Sequence, residues 1–273
     1  MPLVLQYHAE TTVPVEVEGL VPNVLRTKSL AEIEKLPIHH GNRTVPLAEF
    51  FHVTGQPSDG RMEFEGDLSG VHWIGAGMAD GEIHVRGDAG RHLGSEMTGG
   101  RIHVTGRAGD WVGGEMHGGL IHVQGRAGHL VGAAYRGSRR GMTGGTILVQ
   151  GDVGNELGHT MRRGLLVAGG RAGDVIGFNM IAGSIFVLGE AGIRAGAGMR
   201  RGTIGLLGPS PPPLLPTFRR GCRYQPLVLR LIFRELARHN FPVAQEIRAG
   251  PFDLYHGDLI TGGKGEILLR AAP

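Results

Sequence analysis

The chain has a single cysteine, Cys222, among its 273 residues. One thiol excludes an internal disulfide framework and a thiolate zinc site, and it points to a reduced, cytosolic setting. Lysine is nearly as scarce: Lys28, Lys35 and Lys264 are the only three, so arginine carries the positive side of a net charge of +3. Arginine suits fixed, bidentate contacts to carboxylates and phosphates. A charge this small does not by itself imply nucleic acid. Aromatic residues make up 5% of the chain against 49 glycines, yet no G-X-Y triplet recurs, which excludes collagen. The glycines stand at fixed offsets between apolar alternations, which excludes a disordered Gly-rich tract. No run approaches the roughly 20 apolar residues that cross a bilayer. The opening MPLVLQYHAE lacks the basic start and apolar core of a signal peptide, so neither membrane nor export is expected.

What the chain does have is a period. Met78, Met97, Met116, Met142, Met161, Met180 and Met199 each open a unit of the form M-x-x-G-x-I-x-V-x-G-x-A-G-x-x-L-G, and the usual spacing is nineteen residues. Five residues after the methionine stand Ile83, Ile102, Ile121, Ile147, Leu166, Ile185 and Ile204; two further on stand Val85, Val104, Val123, Val149, Ala168, Val187 and Leu206. Alternation with β-branched residues predicts a strand with one buried face. Small or apolar inward residues follow (Ala89, Ala108, Ala127; Leu93, Val112, Val131), separated by glycines that free the backbone to turn. Each unit therefore reads as one coil with two short strands, and a lone coil cannot bury its apolar face, so coils must stack.

The fold class expected is all-β, a right-handed parallel β-helix of about eight coils, counting a degenerate unit with Met62, Phe64, Gly66, Gly70, Ile74 and Gly75. At roughly 4.8 Å per rung, the rod is about 35 Å long. Residues 1–58 read as a strand and helix cap, with Ser29 and Glu32 as a capping box. Residues 59–208 are the β-helix. Residues 209–273 hold a proline-rich connector (PSPPPLLP), a helix with Leu229, Ile232, Phe233 and Leu236 on one side, and closing strands. One spacing breaks the rule: Met116 to Met142 is 26 residues, which places an inserted loop at Ala133–Gly141. In a solenoid such a loop projects from one face, often a binding face.

Catalytic constellations are missing. There is no G-x-S-x-G, TGGKGE (Thr261–Glu266) has not the spacing of a P-loop, and the outward carboxylates Asp88, Asp110, Asp152 and Glu190 form no paired ladder. His84, His103 and His122 occupy one outward column in successive coils, and the column continues as Leu148, Val167 and Phe186. A zinc site lacks a clear fourth ligand there. The apolar continuation favours a partner interface at His84, His103, His122, Leu148 and Phe186, with a solvated ladder as the bland alternative. The arginines Arg136, Arg139 and Arg140 lie on the inserted loop, Arg162 and Arg163 open the next coil, and Arg200 and Arg201 open a later one. Stacking lines such pairs along one edge, where they attract a polyanion, unless partner carboxylates or water satisfy them.

The repeat units, the lead-in GNRTVPLAEFFHVTG and the closing GDLITGGKGEILL together resemble the C subunit of formylmethanofuran dehydrogenase and of its bacterial relative, the formyltransferase/hydrolase complex. The resemblance covers nearly the whole chain; the repeat alone is shared with the β-helical domain of glutamate synthase. It implies a structural component that binds no cofactor tightly and holds no metal. The chemistry would lie in amidohydrolase-like, formyltransferase-like and pterin-subunit-like partners, with methanofuran-type and tetrahydromethanopterin coenzymes. Under that resemblance Arg136, Arg139, Arg140, Arg162 and Arg163 are the candidates to guide the coenzyme's polyglutamyl arm. The resemblance leaves dehydrogenase and transferase/hydrolase open. The rival class, a self-sufficient β-helical lyase or hexapeptide acyltransferase, fits neither the scattered carboxylates nor the nineteen-residue period.

Overall fold

The computed structural model describes residues 1–271 of the chain. Its main feature is a sheet of thirteen strands, most of them parallel, in an arrangement like that of a β-helix. The isoleucine column predicted from the sequence is one continuous ladder. Ile83 pairs with Ile102, Ile102 with Ile121, Ile121 with Ile147, and so on through Leu166 and Ile185 to Ile204. All of these side chains are fully buried. The register survives the insertion unchanged, because Ile147 lands beside Ile121 although the spacing there is longer. The degenerate unit joins in step, with Met62 beside Ile83 and Phe64 beside Val85.

The second strand expected in each coil is reduced to single-residue bridges, Leu68 to Ala89, Ala108 and Ala127, then Val153 to Ala172 and Ala191. Glycines one or two residues to either side leave only one extended residue to pair. Outward side chains reinforce this row. The Asp110 carboxylate accepts from the His129 amide at 2.8 Å, and Asp152 accepts from the Arg171 amide at 2.7 Å, each one coil on.

The M-x-x-G signature has a packing cause. Met97 is fully buried, and its methyl group lies under Gly119 of the next coil. A β-carbon on Gly119 would sit 2.6 Å from that methyl, and the backbone there has φ +87°. Methionine and glycine are thus complementary halves of one contact, repeated along the stack. The turns hold a feature the glycine pattern hides. His92, Trp111, Leu130, Glu156, Val175 and Arg194 share one offset and all adopt left-handed backbone without being glycine.

Both ends of the ladder are extended by flanking chain. Leu3–Tyr7 lies parallel to Arg61–Glu65, and Phe51–Thr54 closes that end antiparallel. The predicted capping box is present: Ser29 Oγ accepts from the Glu32 amide, and Glu32 accepts from the Ser29 amide, over a short helix Leu30–Ile33. At the far end Lys264–Arg270 returns as a further parallel rung, with Ile267 beside Ile204. Phe252–Gly257 and Arg219–Tyr224 then extend the sheet antiparallel. A helix, Leu227–Arg238, lies between these strands in sequence, matching the helix read from Leu229, Ile232, Phe233 and Leu236.

Candidate functional site: an arginine groove and a covered histidine ladder

The three histidines form the expected column. The His84 and His103 rings stack at 5.2 Å, and His122 lies 5.8 Å beyond His103. Glu82 serves the open end, with Oε1 3.2 Å from His84 Nε2 and 3.8 Å from His103 Nε2. Exposure falls along the column until His122 is buried, its Nε2 3.0 Å from Gln150 Nε2 and its ring beside Phe241. Burial, then the neighbouring imidazole, lowers the His103 pKa, and the same causes lower His122 to about 4. A second charge so close to the first is disfavoured, and the buried end of the ladder is neutral.

The structure corrects the interface expectation for Leu148 and Phe186. Both are buried within this chain, in a cluster with Val167, Leu229, Leu236 and Phe241. The C-terminal helix and the turn after it cover the apolar half of the column. The sequence shows an apolar row and an amphipathic helix, but not that each is the other's partner. His84 and His103 stay partly exposed; His122 does not.

The arginines do converge. Arg139, Arg140, Arg162, Arg200 and Arg201 line one groove of about 650 Å³, together with Thr160, Asn179, Ile181, Gly198 and Thr261. The stacking of coil openings sets Arg162 and Arg200 on the same edge, with Arg201 next to Arg200, and the inserted loop brings in Arg139 and Arg140. Among the described residues none of the five pairs with a carboxylate. Arginines so close without counter-charge fit an anionic ligand. Arg136 is not part of this groove; it lines a smaller cavity of about 190 Å³ with Trp111, Tyr135 and His159. Arg163 does not line the groove either. Thr261 comes from the tail, a position that the repeat gives no means of placing there.

The loop is held by a feature sequence reasoning missed. Trp73, His92 and Trp111 stack in successive coils at 4.0 and 5.4 Å, and the Tyr135 ring leans against all three. The Tyr135 hydroxyl is 3.3 Å from His92 Nδ1, and its amide donates to Glu115 at 2.9 Å. Burial pushes the Tyr135 phenol up to about 12 and the His92 imidazole down to about 4. At the loop's other end the Gly141 amide donates to the Thr160 carbonyl at 3.1 Å. Arg139 and Arg140 therefore project from a loop anchored at both ends. The signal was present as rings recurring at one offset, Trp73, His92 and Trp111.

No family model matches the chain. The C subunit of a tungsten-containing formylmethanofuran dehydrogenase 2 from Methanothermobacter wolfeii is 37% identical over 96 residues, 34% of this chain and 36% of that one. The C subunit of a molybdenum-containing formylmethanofuran dehydrogenase 1 from Methanothermobacter thermautotrophicus is 42% identical over 95 residues, 34% of this chain and 24% of that one. The matched stretch thus spans about a third or less of these curated relatives. Likeness in structure extends further. A chain in the crystal structure of the formyltransferase/hydrolase complex (FhcABCD) from Methylorubrum extorquens, in complex with methylofuran, aligns at a TM-score of 0.89 and 33% identity. The alignment covers 98% of this chain and 100% of that one.

Proposed function

Because the chain belongs to the family of formylmethanofuran dehydrogenase C subunits, we propose that it is the non-catalytic scaffold of a one-carbon enzyme complex of the formyltransferase/hydrolase type. The observation that carries this reading is the end-to-end match to one chain of a multi-subunit complex, cap, stack and tail together. The body itself is read as a right-handed parallel β-helix of about eight coils on a nineteen-residue repeat, capped by residues 1–58 and closed by residues 209–273. Parallel ladders in unbroken register make a stiff frame, and stiffness is what holding several active sites at fixed separation requires. The expected neighbours are amidohydrolase-like, formyltransferase-like and pterin-subunit-like chains in the cytoplasm. No helix among the described residues is long and apolar enough to cross a membrane.

The arginine groove gives the frame a second role. A methanofuran-type coenzyme carries the formyl group between sites, with tetrahydromethanopterin as the other one-carbon carrier of the complex. Arg139, Arg140, Arg162, Arg200 and Arg201 bind the coenzyme's polycarboxylate arm, while Thr160, Asn179 and Thr261 offer polar contacts beside them. The groove holds the arm by several salt-sensitive contacts, which suits a tether that must slide and not lock. Purifying the tagged chain from its native cell tests the scaffold reading. Stoichiometric recovery of formyltransferase-like and amidohydrolase-like chains is expected, with no formyl transfer or hydrolysis by the isolated chain. Turnover by the chain alone would overturn it.

A further inference from the structure

The far end of the sheet carries a surface that neither the stack nor the arginine groove uses. Arg219–Tyr224 is the last strand of the thirteen, bonded to Phe252–Gly257 on one side, and among the described residues no strand lies on its other side. All six of its residues are exposed. The strand leads through Gln225 and Pro226 into the helix Leu227–Arg238, whose buried face is Leu229 and Leu236. The opposite face sets apolar side chains among its arginines: Leu227 is 73% exposed, Leu231 59% and Val228 48%, with Tyr224 close by in sequence at 38%. Leucines one helical turn apart form a stripe, and here the stripe faces outward.

The charge around it is predominantly positive. Residues 219 to 248 contain seven arginines and two carboxylates. Asp253 takes Arg220 and Arg223, at 2.7 and 3.0 Å, and Glu235 takes Arg238 at 2.9 Å. Arg219, Arg230, Arg234 and Arg248 have no carboxylate partner among the described residues. Two of these, Arg230 and Arg248, line a groove of about 120 Å³ whose other walls include Leu229, Phe233 and Phe252. An apolar floor with two uncompensated guanidinium groups is complementary to a carboxylate set beside an apolar side chain.

We propose that the strand Arg219–Tyr224 and the outer face of the helix Leu227–Arg238 dock a protein partner that adds a strand to this edge and rings an apolar centre with Asp and Glu. The proposal rests on the scaffold reading and assigns one face to it. A second copy of the chain is disfavoured, because its own arginines would meet these. A lipid surface could take the leucines and arginines but cannot pair with the open strand edge.

Cys222, the chain's one thiol, is exposed on that edge strand and serves as the reporter. Its alkylation by a maleimide is compared in the isolated chain and in the complex purified from the native cell. Protection of at least about tenfold in the complex is expected, since the rate follows access to the thiolate. Raising the ionic strength from about 0.1 to about 0.5 M should speed labelling of the complex, as charge pairing weakens. The double variant Leu227→Asp/Leu231→Asp alters only exposed side chains; it should keep the chain's circular dichroism and lose both the protection and the bound partner. Equal labelling rates in a complex that retains its partners would overturn this face assignment and leave the scaffold reading standing. Native material without partner chains would overturn both. Protection of the isolated chain that grows with its own concentration, or on adding phosphatidylserine vesicles, would overturn the proposal in favour of a second copy or a membrane surface.

Discussion

At the scale of single residues, the groove and the methionine contacts make opposite kinds of claim. Arg139 and Arg140 hold nothing in the fold, so the double charge reversal Arg139→Glu/Arg140→Glu should leave stability and assembly intact. It should raise the Michaelis constant for the methanofuran-type coenzyme by about five- to thirtyfold, the equivalent of about 1–2 kcal/mol for two reversed surface charges. Fluorescence titration of a labelled polyglutamate peptide reads the same loss without turnover; unchanged binding would remove the groove from the coenzyme's path. Gly119 holds no ligand and cannot change. Gly119→Ala forces a β-carbon against the Met97 methyl at φ +87°, and should cost about 2–4 kcal/mol in a denaturant titration. The glycine period was legible because most of its glycines answer a steric demand, a close neighbour or a left-handed backbone. Val175 and Trp111 were not legible as left-handed residues, since nothing in a side chain's identity announces a backbone held by its neighbours.

At the scale of elements, the C-terminal helix decides what the outer column is for. The sequence showed both apolar surfaces, the row Leu148, Val167, Phe186 and the stripe Leu229, Ile232, Phe233, Leu236. It did not show their meeting, because a long connector separates them and sequence distance carries no direction. Leu236 is fully buried in that contact. Leu236→Ala should destabilise the chain by about 2–4 kcal/mol and increase binding of a hydrophobic dye, while the stack keeps its β-sheet signal. The covered histidine adds a pH dependence. The His122 pKa falls from 6.5 to about 4 on folding, so the unfolded chain binds more protons between those values. Stability is then full above pH 6.5 and declines as the pH falls toward 4, by at most about 1.4 kcal/mol per pH unit from this group. His122→Gln should flatten that part of a thermal-melt series against pH; an unchanged slope would show that the ring is not neutral under the helix.

At the scale of the whole molecule, the ladder from Met62 to Ile204 was readable almost residue for residue, because a fixed period allows one register. The last rung was not. Ile267 completes the column after Ile204, yet the intervening chain obeys no repeat, so only three-dimensional closure reveals it. A chain ending at residue 208 would lose that rung and the helix together. It should expose the edge of Arg201–Leu206 and the apolar row at once, and light scattering should show stronger concentration-dependent association than for the full chain, whose edge strand Arg219–Tyr224 is lined with arginines.

The inserted loop between Met116 and Met142 leaves Ile121 and Ile147 in step, so the frame is indifferent to what is spliced in at that turn. Chain length there is decoupled from the register of the ladder, and a longer loop adds only a slowly growing closure cost. A lengthened or re-sequenced loop, still clamped by Tyr135 and Gly141, is thus a free design variable through which the neighbouring groove can be widened, narrowed or recharged while the rest of the molecule stays as it is.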